Sequence, residues 1–352
     1  MLGNESDPIQ YWEAPSAGEI GATIEEFLEQ LDGPTWIYIP GHDHSRCRVV
    51  TTLLHGNEPS GLHAIHAWLR GGDTPQTDLY FCIASVKAAQ HPPGFFHRML
   101  PGHRDLNRCF RPPYKDAEGI LAANLLHRLC AVQPEAVLDI HNTSGSGPSF
   151  AVVTSTDSRH VALSSLFTQH LIITDLKLGA IMEFEEGDFP VTTIECGGCH
   201  DPHAHQLAVD GVRRFALKKD LFDENSMAAE PVLYKHPLRV EMIEGSEIAY
   251  ADHAIDGPDL TLHSNVEHYN FGETPAQSVL GWLGPRGISC LTARDSIGCE
   301  HIEHYFKVRD NQLLTRQPLR LFMVTKNPNI ALSDCLFYLV PVDEQHRHNK
   351  KP

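Results

Sequence analysis

The sequence predicts an α/β protein with a mostly parallel central sheet flanked by helices, followed by a smaller β-rich domain. Three observations predict this. Up to about residue 222, short apolar runs alternate with segments whose apolar residues recur at helical spacing. Beyond that point strand-like pieces recur between Gly and Pro turns, and helical patterns are few. The residues most suited to chemistry fall directly after the buried runs, where open α/β sheets place their ligands.

The elements follow in order. Residues 17–32 put Ile20, Ile24, Phe27, Leu28 and Leu31 on one helical face, and Asp32-Gly33-Pro34 stops that helix. Trp36–Ile39 and Arg48–Leu54 read as strands, Leu62–Arg70 as a helix ended by Gly71-Gly72, and Asp78–Val86 as a strand. Glu118–Val132 is a helix with Ile120, Leu121, Leu125, Leu126 and Leu129 on one side. Strands are expected at Ala136–Ile140, Phe150–Thr154 and Val191–Ile194, and helices at His160–His170 and Ala204–Lys219. The β-rich part contributes Leu233–Tyr234, Arg239–Met242, Ile288–Leu291, Leu319–Val324 and Leu336–Val340. The expected boundaries are 1–225, 230–343 and a disordered polar tail at 344–352.

The chain has 352 residues and a formal net charge of −17. That acidity argues against a nucleic-acid partner and against attraction to anionic membranes. No run of about 18 apolar residues suggests a membrane span. The start shows no basic segment leading into an apolar one, and the nine cysteines are an odd, scattered set. Both features predict reduced thiols in a cytoplasmic protein.

The chemistry concentrates in a few segments. His55-Gly56-Asn57-Glu58 follows the strand-like run Val49–Leu54, and a His and a carboxylate three residues apart at a strand end can converge on one ion. His141 follows another buried strand within Asp139-Ile140-His141-Asn142-Thr143, and Glu195 follows Val191–Ile194. His55, Glu58 and His141 form a His₂Glu set of the kind that holds one catalytic Zn²⁺ and leaves a position for water. Glu195 would then serve as the general base. The bland alternative for His55 and Glu58 is a loop histidine beside a first-turn carboxylate favoured by the helix dipole.

HGNEPSG at 55–61, RDLNRCF at 104–110, DIHNT at 139–143 and TIECGG at 193–198 resemble, in order and spacing, the succinylglutamate desuccinylase/aspartoacylase family. By motif the resemblance spans about residues 45–220. It implies a zinc-carboxypeptidase-like fold and hydrolysis of the amide of a small N-acyl amino acid, and it admits a homodimer. It implies His55, Glu58 and His141 as zinc ligands and Glu195 as the catalytic carboxylate. Asn107 and Arg108 match the pair that grips the substrate carboxylate, which suits a bidentate guanidinium. An arginine before the DLNR segment polarises the scissile carbonyl in this family; Arg98 takes that role here, with Arg104 its rival. Asn142 and Thr143 follow a ligand and are expected to contact substrate or orient His141. Asp105 is expected to orient its loop. Asp139 is expected on the strand face opposite His141.

One departure bears on the substrate. Where members accepting N-acylaspartate carry an arginine ten residues before the catalytic Glu, this chain has Glu185, within an acidic loop at 183–188. Taken literally, that predicts a substrate with one carboxylate and a neutral or cationic other end; a solvated loop with no such role is the alternative. The rival activities are a carboxypeptidase-like peptidase acting on short peptides and a non-catalytic zinc-dependent binding protein. Cys196-Gly197-Gly198-Cys199-His200 fits a haem-attachment string but lacks the export that haem attachment needs. Cys199, His200, His203 and His205 read as a polar rim before a second metal site, and His63 and His66 as ordinary helix-face residues.

Overall fold

The protein is described by a computed structural model covering residues 7–143, 145, 147–223 and 230–342. The expected tail at 344–352 lies outside the described residues. The described chain divides into two compact units. The first comprises Met1–Asn142, Ser149–Ile173 and Lys177–Leu233; the second comprises Thr143–Pro148, Thr174–Leu176 and Tyr234–Pro352.

The first unit is built on β1 (Gln10–Glu13), α1 (Ile24–Glu29), β2 (Thr35–Ile39), β3 (Asp43–Thr52), α2 (Ser60–Gly71), β4 (Thr77–Ile83) and α3 (Val86–Gln90). Then follow α4 (Ala117–Val132), β5 (Ala136–Thr143), β6 (Phe150–Val153), α5 (Ser158–Ser164), β7 (His170–Ile173), β8 (Val191–Gly198), α6 (Pro202–Leu217) and β9 (Val232–Lys235), with Thr143, Tyr234 and Lys235 counted in the second unit. The nine strands form one sheet in the order β1-β2-β4-β3-β5-β8-β6-β7-β9. β1 with β2, β3 with both β4 and β5, and β6 with β7 pair in parallel. β2 with β4 and β6 with β8 are antiparallel. The mixed, mostly parallel α/β sheet is the expected architecture.

Strand periodicity explains the two-sided core. On β3, Val50 joins the apolar cluster beneath α1, α2 and α6, while its neighbour Val49 joins the cluster beneath α4. Ile37 and Trp36, and Leu138 and Val137, divide between the two faces in the same way. Burial on both faces is why these strands read as continuous apolar runs.

The second unit holds two five-stranded sheets around its own core, which includes Val240, Leu262, Leu280, Phe306 and Phe337. Several of its strands have only three to five residues, among them Ile248–Tyr250, Leu260–Leu262 and Gln312–Thr315. The expected strand at Ile288–Leu291 is instead a 3₁₀ turn, Gly287–Cys290, leading into a strand at Leu291–Arg294. The expected helix at His160–His170 stops at Ser164, and His170 already belongs to β7.

Candidate active site

β3 and β5 run parallel with Thr52 beside Ile140, so the residues that follow them emerge at one edge of the sheet. His55 and Glu58 lie in the turn between β3 and α2, and His141 lies on β5. The three side chains are buried, and their ligand atoms lie within 4.8 Å of one another. Glu58 is the centre: Oε1 is 2.9 Å from His55 Nδ1 and Oε2 is 2.6 Å from His141 Nδ1.

The outer nitrogens are equally committed. His55 Nε2 donates to Asp105 Oδ1 at 3.0 Å, and His141 Nε2 donates to Asp139 Oδ2 at 2.8 Å. Each carboxylate thereby selects the tautomer whose Nδ1 lone pair points at Glu58. Two lone pairs aimed at a carboxylate repel unless a cation lies between them. The donor set therefore fits a metal ion, and two imidazoles with a carboxylate suit zinc. Among the described residues no other group of three His, Cys, Asp or Glu donors converges in this way. Cys199, His200, His203 and His205 form no such group.

Without a metal, protons fill that role. Burial opposes charge on both imidazoles, but Glu58 with Asp105, and Asp139 with Glu58, carry His55 and His141 above the ordinary imidazole range. Burial would raise the Glu58 carboxyl; the two imidazoles outweigh it and hold it below the usual carboxylate range.

Asp139 corrects an expectation. Residues i and i+2 of a strand share a face, so Asp139 stands on the same side as His141. Its buried carboxylate also accepts from Thr51 Oγ1 at 2.8 Å and Thr193 Oγ1 at 3.2 Å. Asp105 does orient its loop, accepting from Asn107 N at 2.8 Å, and it does more. Oδ2 accepts from Arg98 Nε at 3.1 Å and Nη2 at 2.9 Å. Arg98 in turn brings Nη1 to 3.5 Å from Glu58 Oε1. Arg104 instead pairs with Asp116, the N-cap of α4, and its side chain is half exposed. Of the two arginines, Arg98 is the one against the His–Glu cluster.

Glu195 is buried on β8. Burial pushes its carboxyl up to about 7, and the charges of His141, Glu58, His55 and Arg98 all act on it. Its Oε2 is buried and has no hydrogen-bond partner among the described residues. An orphaned carboxylate oxygen beside a metal-donor set is suited to holding a proton in transit.

Asn107 and Arg108 lie on a single 3₁₀ turn, Leu106–Arg108, capped by Asp105. Asn107 Oδ1 accepts from Ile181 N at 3.0 Å, and Arg108 Nη1 donates to the Asn107 carbonyl at 2.9 Å. Asn142, expected to contact substrate or orient His141, bonds its side-chain amide within the protein. Its Oδ1 accepts from Ser60 N at 2.9 Å, and its Nδ2 donates to Ser60 Oγ at 2.7 Å and Gly197 O at 2.9 Å. That amide caps α2, whose own N-cap residue, Pro59, supplies no side-chain bond. Thr143 Oγ1 donates to Gly145 O at 2.8 Å. In the acidic loop, Glu185 is three-quarters exposed and pairs with Lys177 at 3.0 Å. Glu183 is spent on backbone N–H groups.

The fold and cluster define a class: an α/β protein with a buried metal-donor set beyond the ends of parallel strands. Residues 49–210 match the Succinylglutamate desuccinylase/Aspartoacylase catalytic domain, which bears out the resemblance carried by the motifs. Solved structures of similar fold include a succinylglutamate desuccinylase from Vibrio cholerae, 16% identical at a TM-score of 0.57, covering 92% of this chain and 96% of that one. Another is a succinylglutamate desuccinylase/aspartoacylase from Rhodobacter sphaeroides, 14% identical at a TM-score of 0.55, covering 87% and 88%. A third is the ectoine utilization protein of Ruegeria pomeroyi with product bound, 15% identical at 0.54, covering 88% of each chain. At such identities the likeness concerns the fold. No curated protein matches by sequence. Among the described residues no helix is long and apolar enough to cross a membrane.

Proposed function

We propose that this chain is a zinc-dependent deacylase that hydrolyses the amide bond of a small N-acyl amino acid. The observation that carries the reading is the convergence of His55, Glu58 and His141, each imidazole backed by a carboxylate, beside the unpartnered oxygen of Glu195. One Zn²⁺ held by these three residues would supply a Lewis acid that acidifies water and polarises the scissile carbonyl.

The chain's own residues do the rest. Glu195 takes a proton from the attacking water and returns it to the leaving nitrogen, giving a carboxylate and an amine. Burial, which favours the protonated carboxyl, equips Glu195 to hold the proton between the two transfers. Arg98, fixed by two bonds to Asp105, is preorganised to stabilise charge growing on the carbonyl oxygen. Arg108, its loop held by Asn107, grips the substrate carboxylate. Asn142 positions α2, and with it Glu58, without touching substrate. Glu195→Gln is expected to abolish turnover while zinc stays bound, measured by metal analysis of the purified variant beside an N-acyl amino acid assay. Loss of zinc from that variant would reassign Glu195 to the ligand set, and retained turnover would remove it from the chemistry.

For the substrate, we propose one carboxylate and a neutral or cationic remainder. The support is the lack of an arginine at position 185; repulsion by Glu185 is weakened, because that side chain faces solvent and Lys177. Rates on N-acetyl derivatives of aspartate, glutamine and lysine should rank aspartate last. A clear preference for N-acetylaspartate would sink the idea.

A further inference from the structure

Asn107 and Arg108 sit on a three-residue turn, which by itself has little to hold it in place. The turn leans on a second segment. Besides the Ile181 N–H on Asn107 Oδ1, Phe110 N donates to Gly179 O at 3.0 Å, and Arg111 Nη1 donates to Lys177 O at 3.2 Å. Gly179 has φ +83°, and a Cβ there would stand 2.7 Å from the Arg108 carbonyl oxygen. The backbone of 177–181 is thus the seat of the Asn107–Arg108 turn.

One side chain gathers that seat. Glu183 Oε1 accepts from the N–H groups of Leu178 at 2.7 Å, Gly179 at 3.0 Å and Ala180 at 3.2 Å, and Oε2 accepts from Gly179 at 3.0 Å. Three successive N–H groups turned onto one carboxylate form a charge-assisted nest. Glu183 is the first acid of the 183–188 loop, so one of that loop's charges is committed inward rather than toward solvent.

We infer that Glu183 is a positioning residue for carboxylate recognition: it fixes the 177–181 seat on which Asn107 and Arg108 rest. The inference rests on the deacylase reading for its substrate, and it acts on binding of the carboxylate rather than on the hydrolytic step. Loss of the carboxylate lets the seat relax, Arg108 loses its set position, and binding weakens for ligands with a free carboxylate.

The test compares wild type, Glu183→Ala and Glu183→Gln as zinc-loaded full chains. The probe is whichever N-acetyl derivative of aspartate, glutamine or lysine wild type binds most tightly, beside that derivative with its α-carboxylate as the methyl ester. Kd comes from calorimetry, and KM and kcat from amine release. Glu183→Ala should raise Kd and KM for the acid on the order of 10-fold, leave kcat within about 2-fold, and leave the ester unchanged. Glu183→Gln, which keeps an acceptor oxygen without the charge, should fall between, and it carries the test if the alanine variant fails to fold. Gly179→Ala, which pushes on the Arg108 carbonyl directly, should split acid from ester in the same way. Equal losses for acid and ester would reduce Glu183 to a general structural role and overturn the inference, as would unchanged binding. Wild type that binds the acid without hydrolysing it would overturn the deacylase reading and leave the comparison of Kd values intact; wild type that binds none of the probes would overturn both.

Discussion

An imidazole offers a metal one nitrogen and the protein the other, so the outer partner governs what the inner nitrogen can do. Here Asp139 is fully buried, and its acceptors are filled by Thr51, Thr193 and His141 Nε2. Asp139→Asn keeps the shape but offers only one acceptor oxygen, and its amide can present N–H to Nε2 and favour the wrong tautomer. Zinc affinity is expected to fall by about 10- to 100-fold with the fold retained. Competition against a chromophoric chelator measures this, and unchanged affinity would show that Asp139 serves the sheet alone. His55, Glu58, His141 and Glu195 were legible in the sequence because each directly follows or lies on a buried strand. Asp139 departs from the expected opposite face because a strand repeats every two residues, which sets it beside His141. Arg98 and Arg104 were indistinguishable by spacing, since only the fold reveals that Asp116 claims Arg104. The commitment of the Asn142 amide to Ser60 and Gly197 joins residues 82 and 55 positions away, which no local pattern encodes.

The element that aims Glu58 is α2. It begins two residues after Glu58, and Gly61 in its first turn sits hard against the sheet: a Cβ there would lie 2.1 Å from Thr52 Oγ1 and 3.0 Å from Ile140 Cβ. Thr52 and Ile140 are register partners on β3 and β5, so the helix rests on the very strands that carry the ligands. Gly61→Ala must lift the helix or shift those strands. We expect a loss of about 1–3 kcal/mol of stability together with weaker zinc binding, measured by urea unfolding and chelator competition. An unaltered midpoint would mean the helix slides without cost. Long elements were legible from their periodicity; the missed ones are short. A helix is expected through His170, yet the chain leaves it at Ser164, where Ser164 Oγ donates to the His160 carbonyl and Thr168 Oγ1 to that of Ser149. Past Ser164 the backbone tightens to i→i−3 bonds, Leu166 N to Leu163 O at 3.2 Å and Phe167 N to Ser164 O at 2.9 Å. The strands of three to five residues in the second unit are too brief for alternation to stand out.

For the whole molecule, the division of the core decides where a metal's stabilisation goes. His55, Glu58, His141, Asp105, Asp139 and Glu195 all belong to the first unit, and the apolar cluster of the second unit is its own. The chain's composition gave no hint of this: of 23 histidines only His55 and His141 converge on a metal-donor set among the described residues. A ligand that binds only the folded form stabilises it by mass action, by about 2.7 kcal/mol at a concentration 100 times its Kd. A zinc ion held by His55, Glu58 and His141 would tie the turn after β3 to β5. Opening any of these strands must break the site, so zinc should suppress their exchange in proportion to its occupancy. Strands at Val279–Leu283 and Gln312–Thr315 carry none of the donor residues. Amide hydrogen exchange followed by mass spectrometry, with and without zinc, is therefore expected to slow in peptides covering 47–60, 136–143 and 191–198. Peptides covering 279–283 and 312–315 should exchange at unchanged rates. Equal slowing in both groups would show that the two cores open as one cooperative body; no slowing in the first group would remove zinc from the His55–Glu58–His141 cluster.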